Sequence, residues 1–407
     1  SYKFPLLTLT ASATKAERAE FAFFLHSTAE LSDPEKVFTL SAEEILKLNP
    51  NTGTCPVFRS RRDADITLKI YDKAPVLIKR GEEEENPWGV SFMTMFHMSN
   101  DSGLFKTRED LEADGWRLEG NVFVRGEERM LPLYEAKMLH HYDHRWATYE
   151  TSESARDVTL EEKKDAEALV LPRYWVPEEE IDEQVNKTTS WLTGFRKICR
   201  STDERTLVSY AFPKSGLGDS GNIIQAKQPE NISLYANTSS FSLDYVLRQK
   251  LGGTNLNFFQ FEQLPTLRPQ DFRTKASWDS INSVHKWLSP RVLELTYTAW
   301  DMEPFARDLG DSGAPFVWDD ERRFLIRCEL DAAFFHLYGI ERDDVAYIME
   351  TFPIVKKKDL QAHGSYRTKD TILDIYDAMA KAIETGEPYQ TVLDPPPGEG
   401  PRHPARG

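Results

Sequence analysis

Three histidines within five residues form the first group in this sequence whose types and spacing could do chemistry. His140, His141 and His144 lie in the stretch HHYDHR, where His140 and His144 would share one face of a helix. Two imidazoles at this spacing can bind zinc, but the glutamate of an HExxH motif is absent. The pattern favours packed or hydrogen-bonded histidines. A metal-dependent nuclease and a DNA contact, with Arg145 donating to phosphates or base edges, are the alternatives.

A glycine motif and a proline motif resemble nucleotide-binding and base-binding motifs, but the residues around each do not match the rest of the motif. Gly216, Gly218 and Gly221 match GxGxxG, a turn that needs a helix after it to face the anion or nucleoside. Residues 222–231 lack helical periodicity, so a flexible loop is predicted. Residues 394–397 (DPPP) lack the aromatic ring with which the [D/N]PP[Y/F] motif stacks on a flipped base. We therefore assign no catalytic residue and no metal ligand.

Basic residues concentrate in three clusters, which together could line a DNA-binding groove. Lysine suits phosphates and arginine also suits guanine edges, although each cluster alone is typical of a solvated surface. The third cluster is expected in a loop between two helices. The predicted contacts are Arg59, Arg61 and Arg62 in the first cluster; Arg200, Arg205 and Lys214 in the second; and Lys356, Lys357, Lys358, Arg367 and Lys369 in the third.

Composition limits the class of protein. With 407 residues and 40% hydrophobic residues, the chain can form two or three packed domains and is not a disordered acidic chain. Its net charge of −16 argues against a general nucleic-acid coat or a basic membrane-surface protein. Three separated cysteines favour the reducing cytoplasm, and no apolar run reaches the ~18 residues of a membrane span. The apolar, strand-like start without Met or signal peptide is interpreted as a piece of a larger protein.

The elements predict an α+β fold, in which a mixed α/β unit is followed by a helical C-terminal part. A capping box at Ser41 and Glu44 starts one helix, residues 62–74 form another, and residues 116–125 form a β-hairpin. Strands are expected over 206–212, 232–236 and 255–261, and a helix over 241–251. Ser289 and Pro290 are expected to begin the next helix. The predicted units are 1–150, 171–288 and 289–385, with a linker at 151–170 and a disordered tail at 394–407.

Residues 133–145, LYEAKMLHHYDHR, resemble a stretch of the large adenine-specific DNA methyltransferases. These include type IIG restriction-modification enzymes and phage-defence methylases of the DISARM and BREX kind. Six further stretches are similar in the same order along the chain, and the similarity spans roughly residues 2–379. They are 49–59, 201–206, 257–265, 329–339, 347–356 and 364–369.

The resemblance implies the DNA-binding and target-recognition part of a site-specific adenine-N6 DNA methyltransferase in restriction-modification or phage defence. Residues 1–150 would follow the methyltransferase core, and 171–288 would be the target-recognition domain. The S-adenosylmethionine turn and the NPPY motif would lie in that core, so no cofactor is expected in this chain. Implied partners are double-stranded DNA, the core and defence-system subunits. The alternative is a protein-interaction scaffold, whose acidic surface docks a basic partner and whose basic clusters are salt-bridged surface.

Overall fold

The computed structural model describes residues 5–9, 16–151 and 153–406 of the chain. Residues 5–9, part of the apolar start, form no strand. The strands are β1 (Arg18–Phe21), β2 (Phe38–Ser41), β3 (Ser91–Met93), β4 (Arg117–Glu119), β5 (Val122–Arg125), β6 (Glu128–Tyr134), β7 (Ala147–Tyr149), β8 (Ala155–Asp157), β9 (Tyr174–Pro177), β10 (Trp191–Arg196), β11 (Ser209–Pro213), β12 (Gly216–Leu217) and β13 (Gly221–Gln225).

Helices dominate the second half of the described chain, which confirms the predicted α+β fold with a helical C-terminal part. They are α1 (Ala42–Leu48), α2 (Arg61–Lys73), α3 (Arg108–Ala113), α4 (Leu160–Lys164), α5 (Glu178–Gln184), α6 (Asn231–Thr238), α7 (Phe241–Lys250), α8 (Phe258–Phe261), α9 (Pro269–Arg273), α10 (Val284–Thr296), α11 (Glu303–Asp308), α12 (Asp320–Leu337), α13 (Arg342–Glu350), α14 (Pro353–His363) and α15 (Arg367–Thr385).

The strands form two larger sheets and two small antiparallel pairs, β1–β2 and β7–β8. One sheet is antiparallel in the order β11-β10-β13-β3, and the other runs β12-β6-β5-β4, with β9 also paired to β6. Only the β12–β6 pairing is parallel among the described strands. β4 and β5 form the predicted hairpin, whose turn contains Gly120 at φ +64°. Glycine adopts that backbone conformation without steric cost.

Local signals placed several helices correctly. The Ser41 hydroxyl accepts the Glu44 amide while the Glu44 carboxylate accepts the Ser41 amide, which is the predicted capping box of α1. The predicted helices over 62–74 and 241–251 are confirmed as α2, which is shifted by one residue, and α7, which ends one residue earlier. These helices carry their own start signals, so the surrounding structure was not needed to place them.

Three element predictions are wrong. Residues 232–236 form α6 instead of a strand, and the predicted strand over 255–261 contains α8. A short apolar run does not distinguish a strand from a helix that is buried on all sides, and every residue from Ile232 to Thr238 is buried. Pro290 lies inside α10, whose N-cap is Ser283; the Ser283 side chain accepts the Lys286 amide.

The main hydrophobic cluster crosses the predicted unit boundaries at 150, 171 and 288. It contains Phe38, Tyr142, Phe195, Leu288 and Met379. A second cluster fills the space around β6, β9 and β12, and a small third cluster surrounds Phe123 and Trp175. Residues from all three predicted units therefore share the main core.

The charged segment 151–170 and the tail at 394–407 both pack against the molecule where the structure describes them. The first contains α4, with Lys163 and Ala166 buried, and is not an exposed linker. In the tail, the Arg402 guanidinium donates to the Asp311 carboxylate and the Ala314 carbonyl, while the Gly398 amide donates to Glu294. The prediction of a disordered tail is therefore wrong, because backbone and side-chain hydrogen bonds replace the missing apolar contacts.

Candidate nucleic-acid interface

Arg248, on α7, joins the second basic cluster to the C-terminal helices. Its guanidinium donates to the carbonyls of Asp203 at 2.5 Å and Glu204 at 2.9 Å, and more weakly to those of Ser201 and Thr351. Thr351 lies between α13 and α14. A single buried side chain therefore holds the loop that carries Arg200 and Arg205 against the start of α14, the helix that carries Lys356, Lys357 and Lys358.

Further contacts bring the other clusters to the same helices. Lys358 on α14 contacts Glu204 at 2.5 Å, which joins the third cluster to the second. Arg62 on α2 contacts Asp344 on α13 at 3.0 Å, and the Ser60 hydroxyl lies 2.9 Å from the Tyr347 hydroxyl. The three basic clusters, which are far apart in sequence, thus border one another on α13, α14 and the loop before β11.

Most of the predicted DNA-contacting cations are already neutralised by acids. Arg205 donates to Asp244 at 2.7 Å and its side chain is only 12% exposed. Lys356 and Lys369 both contact Glu350 at 2.6 Å. Arg367 contacts Glu321. A phosphate would have to displace these carboxylates, so such cations attract DNA less than unpaired ones.

Four predicted contacts keep an unneutralised charge. Their side chains are exposed, and none forms a salt bridge or a side-chain hydrogen bond within the described residues. They are Arg59, Arg61, Arg200 and Lys357. Each belongs to one of the three neighbouring clusters, so every cluster retains at least one cation that is available to a phosphate.

The third cluster lies on two helices and not in the predicted loop: Lys356, Lys357 and Lys358 are on α14, and Arg367 and Lys369 are in the first turn of α15. Pro353 begins α14 at a position where its missing N–H costs no hydrogen bond, and Gly364 ends it at φ +74°. Consecutive residues on a helix point about 100° apart. Lys356 and Lys358 consequently reach different acids, while Lys357 remains exposed beside a shallow depression of about 450 Å³.

Arg145 is buried, so the prediction that it contacts DNA is wrong. Its side chain is part of a residue that is 1% exposed, and burial lowers its pKa. The guanidinium is surrounded by main-chain oxygens of segment 162–168 and of the chain before α11. It donates to the carbonyls of Glu162, Lys163, Asp165, Ala168 and Thr298 at 2.7–3.3 Å.

The histidine group forms a tight turn and not a helix. The His140 and Asp143 main chains exchange both hydrogen bonds, and Tyr142 between them has a left-handed φ of +56°. His144 Nε2 lies 2.8 Å from the Asp301 carboxylate, and the His140 ring stacks on Trp146. The described residues contain no group of three or more His, Cys, Asp or Glu placed to hold a metal ion. The packed, hydrogen-bonded interpretation therefore fits these contacts best.

Burial and nearby positive charges act in the same direction on the pKa values of His140 and His141. Burial lowers the pKa of His140 and of His141 well below 6.5, and nearby Arg196 and Arg205 lower both further. Both ring nitrogens of His141 are buried without a hydrogen-bond partner in the described part of the chain. A neutral imidazole in this place cannot supply the positive charge that a phosphate contact needs.

Lys214 lies apart from the other cations. It contacts Asp182 on α5, which packs against β6 and β9. Its side chain is only 14% exposed. Proximity in sequence to the second cluster therefore did not place it in the candidate interface.

The GxGxxG glycines lie in β12, β13 and the turn between them, so a strand and not a helix directly follows the motif. A Cβ on Gly216 would lie 2.9 Å from Val176, and one on Gly221 would lie 2.3 Å from the Tyr210 hydroxyl. These glycines allow close packing inside the protein. The segment is neither the predicted flexible loop nor a cradle for S-adenosylmethionine, because side chains already fill the space beside it.

Sequence reasoning missed Arg248, which organises the interface. It is a lone arginine in a helix and belongs to none of the basic clusters, so nothing local distinguishes it from a surface cation. Besides Asp244, four residues earlier on the same helix, it donates to main-chain carbonyls that lie 44 to 103 residues away along the chain. Only their arrangement in space reveals its role.

Comparison with protein-family models, curated proteins and solved structures finds no match to this chain. Among the described residues, no helix combines the length and the apolar character needed to cross a bilayer.

Proposed function

We propose that this chain is the DNA-binding and target-recognition part of a site-specific adenine-N6 DNA methyltransferase in restriction-modification or phage defence. The observation that carries the proposal is the convergence of the three basic clusters, through Arg248, Arg62 and Lys358, on one part of the molecule. The ordered resemblance of residues 49–59, 133–145 and 347–356 to such methyltransferases supplies the reaction. The proposal includes a cytoplasmic location, because a reducing cytoplasm contains DNA and keeps cysteine thiols reduced.

In this proposal the chain positions DNA and performs no bond chemistry. Arg59, Arg61, Arg200 and Lys357 bind phosphates, and the arginines among them can also read guanine edges. S-adenosylmethionine and the catalytic motif belong to a methyltransferase core outside this sequence. The chain as a whole carries a net charge of −16. Because a net negative charge repels DNA, binding depends on the local positive charge of the basic clusters.

The test compares two quadruple variants that carry the same change in charge. The first is R59A/R61A/R200A/K357A. The control is R108A/R117A/R125A/R307A, which removes four exposed cations that pair with Glu112, Glu119, Glu128 and Glu303 in other parts of the fold. Both variants take the net charge from −16 to −20, because each loses four positive charges.

We expect the first variant to bind duplex DNA at least 100-fold more weakly at low salt, in a gel-shift assay. Each lost phosphate contact should reduce the slope of log K against log salt by about 0.9. The control should stay within a few-fold of the wild type. Wild-type protein that does not bind duplex DNA at low salt, or equal losses in the two variants, would contradict the proposal.

A second candidate function, a protein-interaction scaffold in a multi-subunit defence complex, is favoured by the ion pairs of the clusters. Lys356, Lys369 and Arg205 each contact an acid, as expected for a salt-bridged surface. In that case a basic partner would dock on the acidic faces. Co-purification of a stoichiometric partner, together with no DNA shift, would support this candidate over the first.

A further inference from the structure

Phe24 has a backbone conformation that large side chains rarely adopt. Its φ is +58°, in the left-handed region, and its side chain is exposed enough that the residue retains 50% of its accessible surface. The neighbouring rings point the other way: Phe21 stacks on Phe38, and Phe23 also packs against Phe38. The turn at Phe24 thus directs one aromatic ring out of the core, where burial does not compensate for the unfavourable backbone.

A guanidinium covers part of the exposed ring. The Arg59 guanidinium carbon lies 4.4 Å from the centroid of the Phe24 ring. This face-on contact leaves the N–H donors at the edge of the guanidinium free to bind an anion, and it restricts the side chain before binding. Arg59 has no acid partner among the described residues, and neither has Arg61, two positions further on.

We propose that the Phe24 patch, defined as Phe24, Arg59 and Arg61, contacts both a DNA phosphate and an unstacked base. The two arginines bind the phosphate, and the exposed ring of Phe24 stacks on the base beside it. A planar ring in contact with one guanidinium, with a second exposed arginine two positions further along the chain, matches a nucleotide, whose base and phosphate are joined through one sugar. An acidic peptide offers the charge without the ring. This inference rests on the proposed function and adds to it a base-contacting residue that is not a cation.

The experiment uses the full chain and two duplexes of equal length, one fully paired and one with a single unpaired adenine. Phe24→Leu keeps the apolar volume and the backbone strain but removes the aromatic face. Phe24→Gly removes the ring and suits the left-handed backbone, so it should fold. Phe259→Leu is the matched control, because Phe259 is similarly exposed, at 51%.

We expect Phe24→Leu and Phe24→Gly to lose about tenfold in affinity for the duplex with the unpaired adenine, as measured by fluorescence anisotropy. Affinity for the paired duplex should change less than threefold, and Phe259→Leu should match the wild type on both. Arg59→Ala should weaken both duplexes and lower the salt slope by about 0.9.

The outcomes separate this inference from the proposed function. Wild-type protein that binds neither duplex overturns the proposed function itself. If the wild type binds and both Phe24 variants bind equally well, the base contact is refuted while the proposed function stands. Equal losses on the two duplexes would mean that the ring only positions Arg59, and tighter binding of a poly-glutamate peptide than of DNA would assign the patch to a protein partner. Both results overturn the inference.

Discussion

Replacing Arg145 by methionine is the most direct test of the buried centre of this fold. The substitution keeps an unbranched apolar stem but removes the guanidinium and with it all donors to the five carbonyls that it now binds. Hydrogen bonds from a charged group contribute ~1.5–3 kcal/mol each but are not additive, and breaking a buried charged interaction costs ~3–5 kcal/mol. We therefore expect a loss of about 4 kcal/mol in the free energy of unfolding.

The shift in melting temperature follows from the size of the cooperative unit. Because the main core crosses the predicted unit boundaries, we treat the 407 residues as one unit. At ~2.1 cal/mol/K per residue, the unfolding entropy is about 0.85 kcal/mol/K, so ~4 kcal/mol lowers Tm by about 5 °C. Differential scanning calorimetry measures this shift directly.

Arg200→Met is the matched control, since Arg200 is exposed and has no side-chain partner among the described residues. We expect Arg200→Met to change Tm by less than 1 °C and to weaken DNA binding. Arg145→Met should instead lower Tm, and the protein that remains folded should bind DNA as the wild type does. A shift below 1 °C for Arg145→Met would refute the structural role of Arg145. If Arg145→Met lost DNA affinity without losing stability, Arg145 would have to be regarded as a DNA contact.

Three further predictions concern stability. Burial raises the pKa of Asp331 from 3.8 to about 6, so between these two pH values the folded state binds more protons than the unfolded state and the free energy of unfolding falls as pH rises. Between pH 4.5 and 7.5, urea titrations should show that the free energy of unfolding of Asp331→Asn increases by about 2 kcal/mol relative to that of the wild type. Burial lowers the pKa of Lys250 well below 10.5, so wild-type stability should rise as pH approaches 10.5, and chemical denaturation of Lys250→Met should lack that rise. Deleting residues 394–407 removes the hydrogen bonds to Asp311 and Glu294 and should lower Tm by about 3 °C, whereas an unchanged Tm would mean that the tail adds nothing.

Elements with signals inside their own sequence could be predicted. The capping box at Ser41 starts α1, and the hairpin of β4 and β5 follows from alternating apolar residues around a turn. Where the signal was only apolar character, as in residues 232–236, prediction failed. The choice between strand and helix there depends on the neighbours, since α6 is covered by α10 and β11.

In the candidate site, too, some features could be predicted from the sequence and others depended on the fold. The sequence alone located the basic clusters, since clustering of like charges is a property of the chain. It also offered as DNA contacts both Arg59, which is exposed, and, as an alternative interpretation of the histidine stretch, Arg145, which is buried. Phe24 had no signal at all, because its importance depends on a backbone angle and on an arginine 35 positions away.

The sequence by itself determined the net acidity, the local starts of helices and the places where cations concentrate. Only the tertiary structure decided which cations remain unpaired. Lys358 meets Glu204 across 154 positions, and Arg62 meets Asp344 across 282. Coulomb interactions depend on separation in space and on burial, and not on separation along the chain. Residues with the same charge in the same cluster therefore became a buried support, a surface ion pair or an available phosphate ligand according to what the fold placed beside them.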